Sequence, residues 1–230
     1  LPLLRRAIDA GKHIYAEKPV APSTRDGLAI LAAGKAKGLK MGAVEDKINA
    51  PGYRKLAKLA TDGFFGRVVN FRLDFGWWVF DGLQAPANRP SWNYQKSGGG
   101  GLFPDMYCHW RYVVESMMGA MKRITAAGWT AQPKRADEAG STFDVDVEDS
   151  CSVIVELESG AFGTITSSWA QRVIGDDLVH FQIDGTKGSA VAGMRRCRAQ
   201  AAGSTPDIRG FNLGGDAGTM DYRVDHAANW

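Results

Sequence analysis

Residues 150–169, SCSVIVELESGAFGTITSSW, decide the fold of most of this chain. Two runs of strand length, 150–158 and 161–169, are separated only by Ser159-Gly160. A two-residue turn of this composition is typical of a β-hairpin. The stretch therefore predicts two neighbouring antiparallel strands.

Further strands and two helices surround this hairpin. Strands are predicted within residues 66–80, at 123–131 and at 178–184, and Asp184-Gly185 opens another turn. A helix at 53–61 ends at Asp62-Gly63, and a second helix follows Pro104 with apolar side chains at Met106, Trp110, Val113, Val114 and Met117. Sequential strands joined by tight turns predict a mostly antiparallel sheet with helices on one face.

The first part of the chain has a different organisation. A helix ending before Gly11, a strand at 13–16, a helix over 26–37 and a strand at 39–44 alternate with short connections. Ser23 or Thr24 is the expected N-cap of the second helix, and Gly38 ends it. This order predicts the last part of a doubly wound parallel sheet. The fold class is therefore α/β followed by α+β, with domains at 1–45 and 46–230.

Composition excludes several classes of function. The net charge is +3 without a dense basic tract, so we expect no nucleic-acid partner. No apolar run is long enough to span a membrane. Cys108, Cys151 and Cys197 are far apart, which predicts no metal site and favours free thiols in a reducing, cytoplasmic environment.

Asp105 and His109 are candidate catalytic residues, and they follow the run Gly98–Gly101. If Pro104 opens a helix, the spacing of four places both side chains on one face. A carboxylate and an imidazole can then share a substrate hydroxyl, while the glycines let backbone approach a ligand closely. Alternatively, Asp105 only compensates the helix dipole and His109 is an ordinary core histidine.

Glu17-Lys18-Pro19 follows the strand at 13–16 directly. In open α/β sheets, ligands bind beyond the carboxyl ends of the strands. Lys18 could there donate a hydrogen bond to a reacting oxygen. The alternative is that Glu17 and Lys18 are simply a polar strand end.

Other candidates concern the substrate. Trp92, Asn93 and Tyr94 precede the glycines, and an aromatic face with an amide suits a sugar ring and its hydroxyls. Lys47 follows the last strand of the first domain, a position suited to a cleft. Ordinary packing for the three residues, and a solvated charge for Lys47, are the alternatives.

The ordered set of motifs resembles the Gfo/Idh/MocA family of NAD(P)-dependent oxidoreductases. The set comprises DAGKHIY at 9–15, the Glu17-Lys18-Pro19 motif, DGFFGRV at 62–68, the glycine run with Asp105 and His109, and IDGTKGS at 183–189. The resemblance implies a Rossmann domain and a C-terminal domain whose open, mostly antiparallel sheet often forms the oligomer interface. Tyr112 departs from the pattern, because many relatives carry aspartate there.

The resemblance also implies a function. It predicts hydride transfer between NAD or NADP and a secondary alcohol or ketone of a sugar, inositol or related polyol. His109 would be the base, Lys18 would hydrogen-bond the reacting oxygen, and Asp105 would orient His109 or bind a neighbouring hydroxyl. Glu17, Lys18 and Pro19 would contact the cofactor. The alternatives are an NAD-dependent glycoside hydrolase or lyase on the same fold, and a non-catalytic ligand-binding relative.

The chain is expected to be part of a longer protein. It begins at Leu1 without an initiator Met and contains no Gly-x-Gly-x-x-Gly segment between a strand and a helix. We expect most of the dinucleotide-binding domain upstream and a continuation beyond Trp230. The 230 residues alone are expected to bind dinucleotide weakly or not at all and to be inactive.

Overall fold

In the computed structural model, the chain divides into two units, Leu1–Asp46 and Lys47–Trp230. This division lies next to the predicted boundary between residues 45 and 46. The structure describes residues 1–172, 177–204 and, for the backbone, 219–223. The predicted end of the second domain therefore lies outside the described residues.

The first unit alternates helix and strand. Its elements are α1 (Pro2–Asp9), β1 (Ile14–Ala16), α2 (Thr24–Ala36) and β2 (Met41–Ala43). The two strands pair in parallel, with Ile14 opposite Met41. Ser23 caps α2 by accepting a hydrogen bond from the Asp26 N–H at 3.1 Å. The predicted α/β pattern of this segment is confirmed.

The second unit contains two helices and ten strands within its described residues. The elements are α3 (Pro51–Thr61), β3 (Val68–Gly76), α4 (Cys108–Met118), β4 (Met121–Trp129), β5 (Lys134–Ala136), β6 (Thr142–Asp144), β7 (Ser150–Leu157), β8 (Phe162–Ser168), β9 (Val179–Gly185), β10 (Gly188–Ala192), β11 (Arg196–Ala201) and β12 (Thr219–Arg223). A π-helical turn, Phe103–Tyr107, leads directly into α4.

Eight of these strands form one sheet in the order β12-β11-β10-β9-β3-β8-β7-β4. All neighbours in it are antiparallel except β3 and β8, which pair in parallel. The predicted hairpin is confirmed, since β7 and β8 pair along their length. β5 and β6 form a separate antiparallel pair.

The hydrophobic core covers one face of the large sheet. Alternate side chains along the central strands are buried, and they form one cluster with the inward side chains of both helices, namely Tyr53, Leu56, Leu59, Trp110, Val113, Val114, Phe71, Leu73, Val153, Val155, Ile165, Phe181 and Ile183. The rings of Tyr53 and Phe181 meet edge to face, 5.9 Å apart. On the opposite face Ile154 and Phe162 are more than half exposed.

The structure differs from the sequence-based expectation in three places. The strand predicted within residues 66–80 has a bulge between Val68 and Asn70, which leaves Val69 41% exposed. The extra residue of a bulge leaves the ladder, so the pleat reverses there. The short strands β5 and β6 were not predicted, and neither were β10 to β12.

Among the described residues, no helix combines the length and the apolar character that crossing a membrane requires. No disulfide joins Cys108, Cys151 and Cys197, all of which lie in the described part of the chain. Burial raises the pKa of the Cys151 thiol to about 12, and Glu148 and Asp149 act in the same direction. Cys151 is therefore a protonated packing residue in β7.

Gly163 on β8 is one of the positions where the sheet has no room for a side chain. A Cβ there would collide with the Phe71 ring, which packs over β8. We expect Gly163→Ala to lower the free energy of unfolding by about 1–3 kcal/mol, because overpacking shifts buried side chains. Gly203→Ala is the control, since nothing lies near its Cβ, and its effect should stay within about 0.5 kcal/mol. Equal effects in urea-induced unfolding would contradict this packing argument.

Candidate active site

Asp105 and His109 lie at the beginning of one continuous helical segment. Asp105 is in the π-helical turn and His109 is the second residue of α4. The sequence predicted an ordinary α-helical turn from Pro104, whereas the structure has the wider π-turn, a form that is frequent at functional sites. His109 is buried, with 3% of its surface exposed. The predicted placement on one helix is confirmed, and the form of its first turn is different.

The glycine run packs against the protein's own backbone. A Cβ at Gly100 would collide with the Asn93 carbonyl, and the Gly101 N–H donates to that same carbonyl oxygen at 2.9 Å. Gly101 has φ +117°, a conformation that favours glycine. The glycines were expected to let backbone approach a ligand, but Gly100 and Gly101 serve close packing inside the second unit.

Glu148 secures the start of the helix. Its carboxylate accepts a hydrogen bond from the Phe103 N–H at 2.9 Å, and its carbonyl accepts one from the Leu102 N–H at 3.0 Å. The first N–H groups of a helix have no partner within it, so these two bonds satisfy groups that would otherwise lack one. Glu148 was not among the predicted site residues.

Asp105 forms an ion pair with Arg89. The distance from Arg89 Nη2 to Asp105 Oδ2 is 2.8 Å, and both side chains are largely buried, with 19% and 16% exposed. Charge-assisted hydrogen bonds of this length are among the strong ones. Arg89 lies in the connection between β3 and the glycine run. The only sequence sign of its role was a positive charge shortly before the aromatic segment at 92–94.

A cleft of about 610 Å³ lies beside Arg89. Its walls come from the connection after β3 and from the hairpin of β5 and β6. Its polar lining residues are Asn88, Arg89, Ser91, Asp137 and Glu138. Glu138 joins the two walls, because its carboxylate accepts hydrogen bonds from the N–H and the hydroxyl of Ser91, each at 2.8 Å. The Ser91 hydrogen bonds lower the pKa of Glu138 below its ordinary value.

The predicted substrate residues divide by burial. Trp92 is half exposed, whereas Asn93 and Tyr94 are 3% and 2% exposed. Tyr94 is covered by the Arg135 guanidinium, 3.7 Å from its ring centroid. Tyr94 is therefore a packing residue. Of the two aromatic side chains in this segment, Trp92 is the one that is exposed enough to contact a sugar ring. Lys47 is half-buried in a 3-10 turn that packs on α3 and α4.

In the first unit, Glu17, Lys18 and Pro19 follow the carboxyl end of β1, as predicted. Lys18 is half-buried, and its flanking residues are exposed. The Lys18–Pro19 peptide bond is cis. A position beyond the carboxyl ends of parallel strands is the usual ligand side of such a sheet.

In the second unit, Arg135 and Asp149 form a buried charged pair next to Tyr94. They are 1% and 0% exposed, and Arg135 Nη2 lies 3.9 Å from Asp149 Oδ2. Asp149 accepts hydrogen bonds from the N–H groups of Ala131 and Gln132 at 2.7 and 3.0 Å. Burial lowers the pKa of the Arg135 guanidinium, while Tyr94 and Asp149 oppose that shift. Sequence analysis missed Arg135, because an arginine in a short strand carries no local sign of burial.

Comparison with known proteins places these residues in a family context. Residues 53–191 match the sequence model of the GFO/IDH/MocA C-terminal domain. D-xylose dehydrogenase of Paenarthrobacter nicotinovorans is 46% identical over 207 residues, 88% of this chain and 53% of that protein. Levoglucosan dehydrogenase of Pseudarthrobacter phenanthrenivorans is 28% identical over 223 residues, 89% of this chain and 56% of that protein. The chain thus spans about half the length of these curated relatives.

Solved structures agree with this assignment of the fold. An NAD binding oxidoreductase from Klebsiella pneumoniae superposes with a TM-score of 0.79 and 25% identity, covering 97% of this chain and 57% of that one. Levoglucosan dehydrogenase in complex with NADH and L-sorbose superposes with a TM-score of 0.82 and 23% identity, covering 97% and 58%. The latter likeness establishes the fold alone.

Asp149→Ala should be strongly destabilising. It removes the carboxylate beside buried Arg135 and leaves two backbone N–H groups without their acceptor, so the free energy of unfolding should fall by about 3–5 kcal/mol. Asp144→Ala is the matched control, because its ion pair with Lys134 is exposed and worth less than about 1 kcal/mol. Chemical denaturation measures both. Similar losses for the two variants would show that the buried pair has no special weight.

Proposed function

The chain belongs to the Gfo/Idh/MocA family, and we propose that the whole protein transfers a hydride between NAD or NADP and a sugar, inositol or related polyol. The observation that carries this proposal is the Asp105–His109 segment, with Asp105 held by Arg89 and His109 buried. The similarity of the chain to proteins named D-xylose dehydrogenase and levoglucosan dehydrogenase supports a carbohydrate as substrate.

The first unit is assigned to one part of a nicotinamide dinucleotide site. β1 and β2 are parallel, and Glu17, Lys18 and Pro19 lie directly beyond the carboxyl end of β1. When bound, the nicotinamide supplies the hydride acceptor or donor that no side chain can provide. We assign Glu17, Lys18 and Pro19 to contacts with it.

The side chains of this chain perform the proton transfer. His109 takes the hydroxyl proton of the substrate during oxidation and returns it during reduction, since an imidazole nitrogen can both accept and donate a proton. Lys18 donates a hydrogen bond to the same oxygen and stabilises the negative charge that develops there. Asp105 orients His109 or accepts a hydrogen bond from a neighbouring hydroxyl.

Substrate contacts are assigned to the segment before the glycine run. Trp92 presents an exposed ring that can cover the apolar face of a sugar. Asn93 and Tyr94 support the segment from inside, and Lys47 contributes a cation from the turn before α3. The identity and stereochemistry of the bound sugar then depend on the groups that bind its hydroxyls.

The open face of the large sheet is assigned to self-association. Ile154 and Phe162 are more than half exposed on strands β7 and β8, whose opposite face is fully packed. Burying such side chains against a second copy removes apolar surface from water, at roughly 25 cal/mol per Å². The whole protein is therefore proposed to be a homo-oligomer joined through this face.

The activity is tested with the whole protein by following the absorbance of reduced nicotinamide across a panel of sugars and polyols. His109→Ala should lower kcat by about 10²–10⁴-fold, because the general base is lost. His180→Ala on β9 is the matched control and should keep full activity. No turnover with any substrate would refute the proposal. A cleaved product without net change in nicotinamide would favour a glycoside hydrolase or lyase instead.

Association is tested by light scattering during size-exclusion chromatography of the whole protein. Ile154→Glu should reduce the measured mass to that of a monomer, because a charge in an apolar interface loses its hydration. Leu83→Glu, at a side chain that is 49% exposed outside the sheet, should leave the mass unchanged. A monomeric parent protein, or an unchanged mass for Ile154→Glu, would contradict the assignment.

A further inference from the structure

A row of two cations with two aromatic rings between them ends at Asp105. The Arg135 guanidinium carbon lies 3.7 Å from the ring centroid of Tyr94. Tyr94 meets Trp169 edge to face, with centroids 5.5 Å apart and planes at 82°. The Arg89 guanidinium carbon lies 4.4 Å from the centroid of the Trp169 ring, and Arg89 binds Asp105 at 2.8 Å.

The far end of this row is fixed in the protein interior. Arg135 is on β5, is 1% exposed and has Asp149 as its counter-charge. Its Nη1 also approaches the carbonyl oxygens of Val79 and Phe80, at 3.4 and 3.3 Å. Close packing and these contacts restrict the rotamers of the buried guanidinium, so the Tyr94 ring packs against a constrained plane.

Trp169 is equally constrained. It is 0% exposed, and its backbone N–H donates to the Asp149 carbonyl at 2.8 Å. One ring contact comes from Tyr94, and Arg89 stacks over the indole. A cation over an indole ring is attracted by the negative face of the ring, most strongly when solvent is excluded.

Arg89, by contrast, belongs to a connection without regular structure between β3 and the 3-10 turn Ser91–Tyr94. An arginine side chain has many rotamers, and holding one of them costs entropy. The indole of Trp169 and the carboxylate of Asp105 together define one guanidinium position. Because that guanidinium occupies Asp105 Oδ2, it also limits the orientation of the carboxylate.

We propose that Arg89 is a positioning residue for Asp105, and that Trp169, Tyr94 and Arg135 hold Arg89 in place. The proposal rests on the proposed function insofar as Asp105 contacts the substrate. Misplacing a catalytic group by about 1 Å can cost 10²-fold in rate, so the stack would act on activity without touching the substrate.

Chemical rescue in the whole protein tests the positioning of Asp105. Arg89→Ala should lower kcat/KM by about 10- to 100-fold, with kcat reduced and the Kd for dinucleotide unchanged. The cleft of about 610 Å³ beside Arg89 gives small cations access to the vacated position. Millimolar guanidinium chloride should therefore raise the kcat/KM of Arg89→Ala at least about tenfold, while sodium chloride at equal ionic strength should not.

Two further variants separate positioning from folding. Trp169→Phe keeps an aromatic ring but weakens the cation contact, so kcat/KM should fall by about two- to fivefold. Arg111→Ala removes an arginine of α4 that is 71% exposed, and its activity should not change or respond to guanidinium. Full activity of Arg89→Ala, or a loss that guanidinium does not relieve, would overturn the proposal.

A stability measurement keeps the inference testable even if no sugar is turned over. Trp169→Phe and Asp105→Asn should be non-additive in the free energy of unfolding, because Arg89 contacts both residues. The coupling should vanish when the same cycle is measured in the Arg89→Ala background. Additivity in both backgrounds would refute the holding of Arg89 by this stack. An inactive parent protein with intact coupling would refute only the proposed function.

Discussion

Burial of one face of the eight-stranded sheet is the constraint on which the second unit depends. A sheet with one apolar face must cover it, and α3 and α4 do so here. The inward side chains of α4, Trp110 and Val113 among them, fix how the helix is rotated and how far it slides along the sheet. Because the π-helical turn that contains Asp105 leads directly into α4, the position of the helix also sets the position of Asp105. The geometry of the candidate site is thus a consequence of core packing.

A buried ion pair between Arg135 and Asp149 adds to the core of the second unit. Asp149 lies immediately before β7, and its carboxylate binds backbone N–H groups that precede β5. Arg135 on β5 is buried against that carboxylate and against the Tyr94 ring. A buried ion pair contributes little net stability, but removing one partner is costly, so such a pair restricts the arrangements that the chain can adopt. Here that arrangement connects the hairpin of β5 and β6 to the segment carrying Tyr94.

Local sequence pattern was enough to predict several features whose signals lie within a few residues. The β7–β8 hairpin and the helix ends at Gly11 and Gly38 were predicted, and Ser23 is one of the two residues proposed as the cap of α2, because each feature depends on residues within a few positions. Strands β10 and β11 were not predicted, since their small residues, mainly Gly and Ala, give no clear hydrophobic alternation, and β12 was missed as well. The bulge at Val69 was also missed, because it depends on the register with β9.

Sequence analysis alone was enough to identify the family, the order of most elements, and the presence of Asp105 and His109 on one helical segment. Their surroundings became visible in the folded chain: the ion pair with Arg89, the burial of Tyr94, and the pair of Arg135 with Asp149. The physical reason is range. Helical spacing and turn chemistry act over four or five residues, whereas a buried charge finds its partner through packing of distant segments. Arginines in a loop and in a three-residue strand acquire their roles only when the sheet brings those segments together.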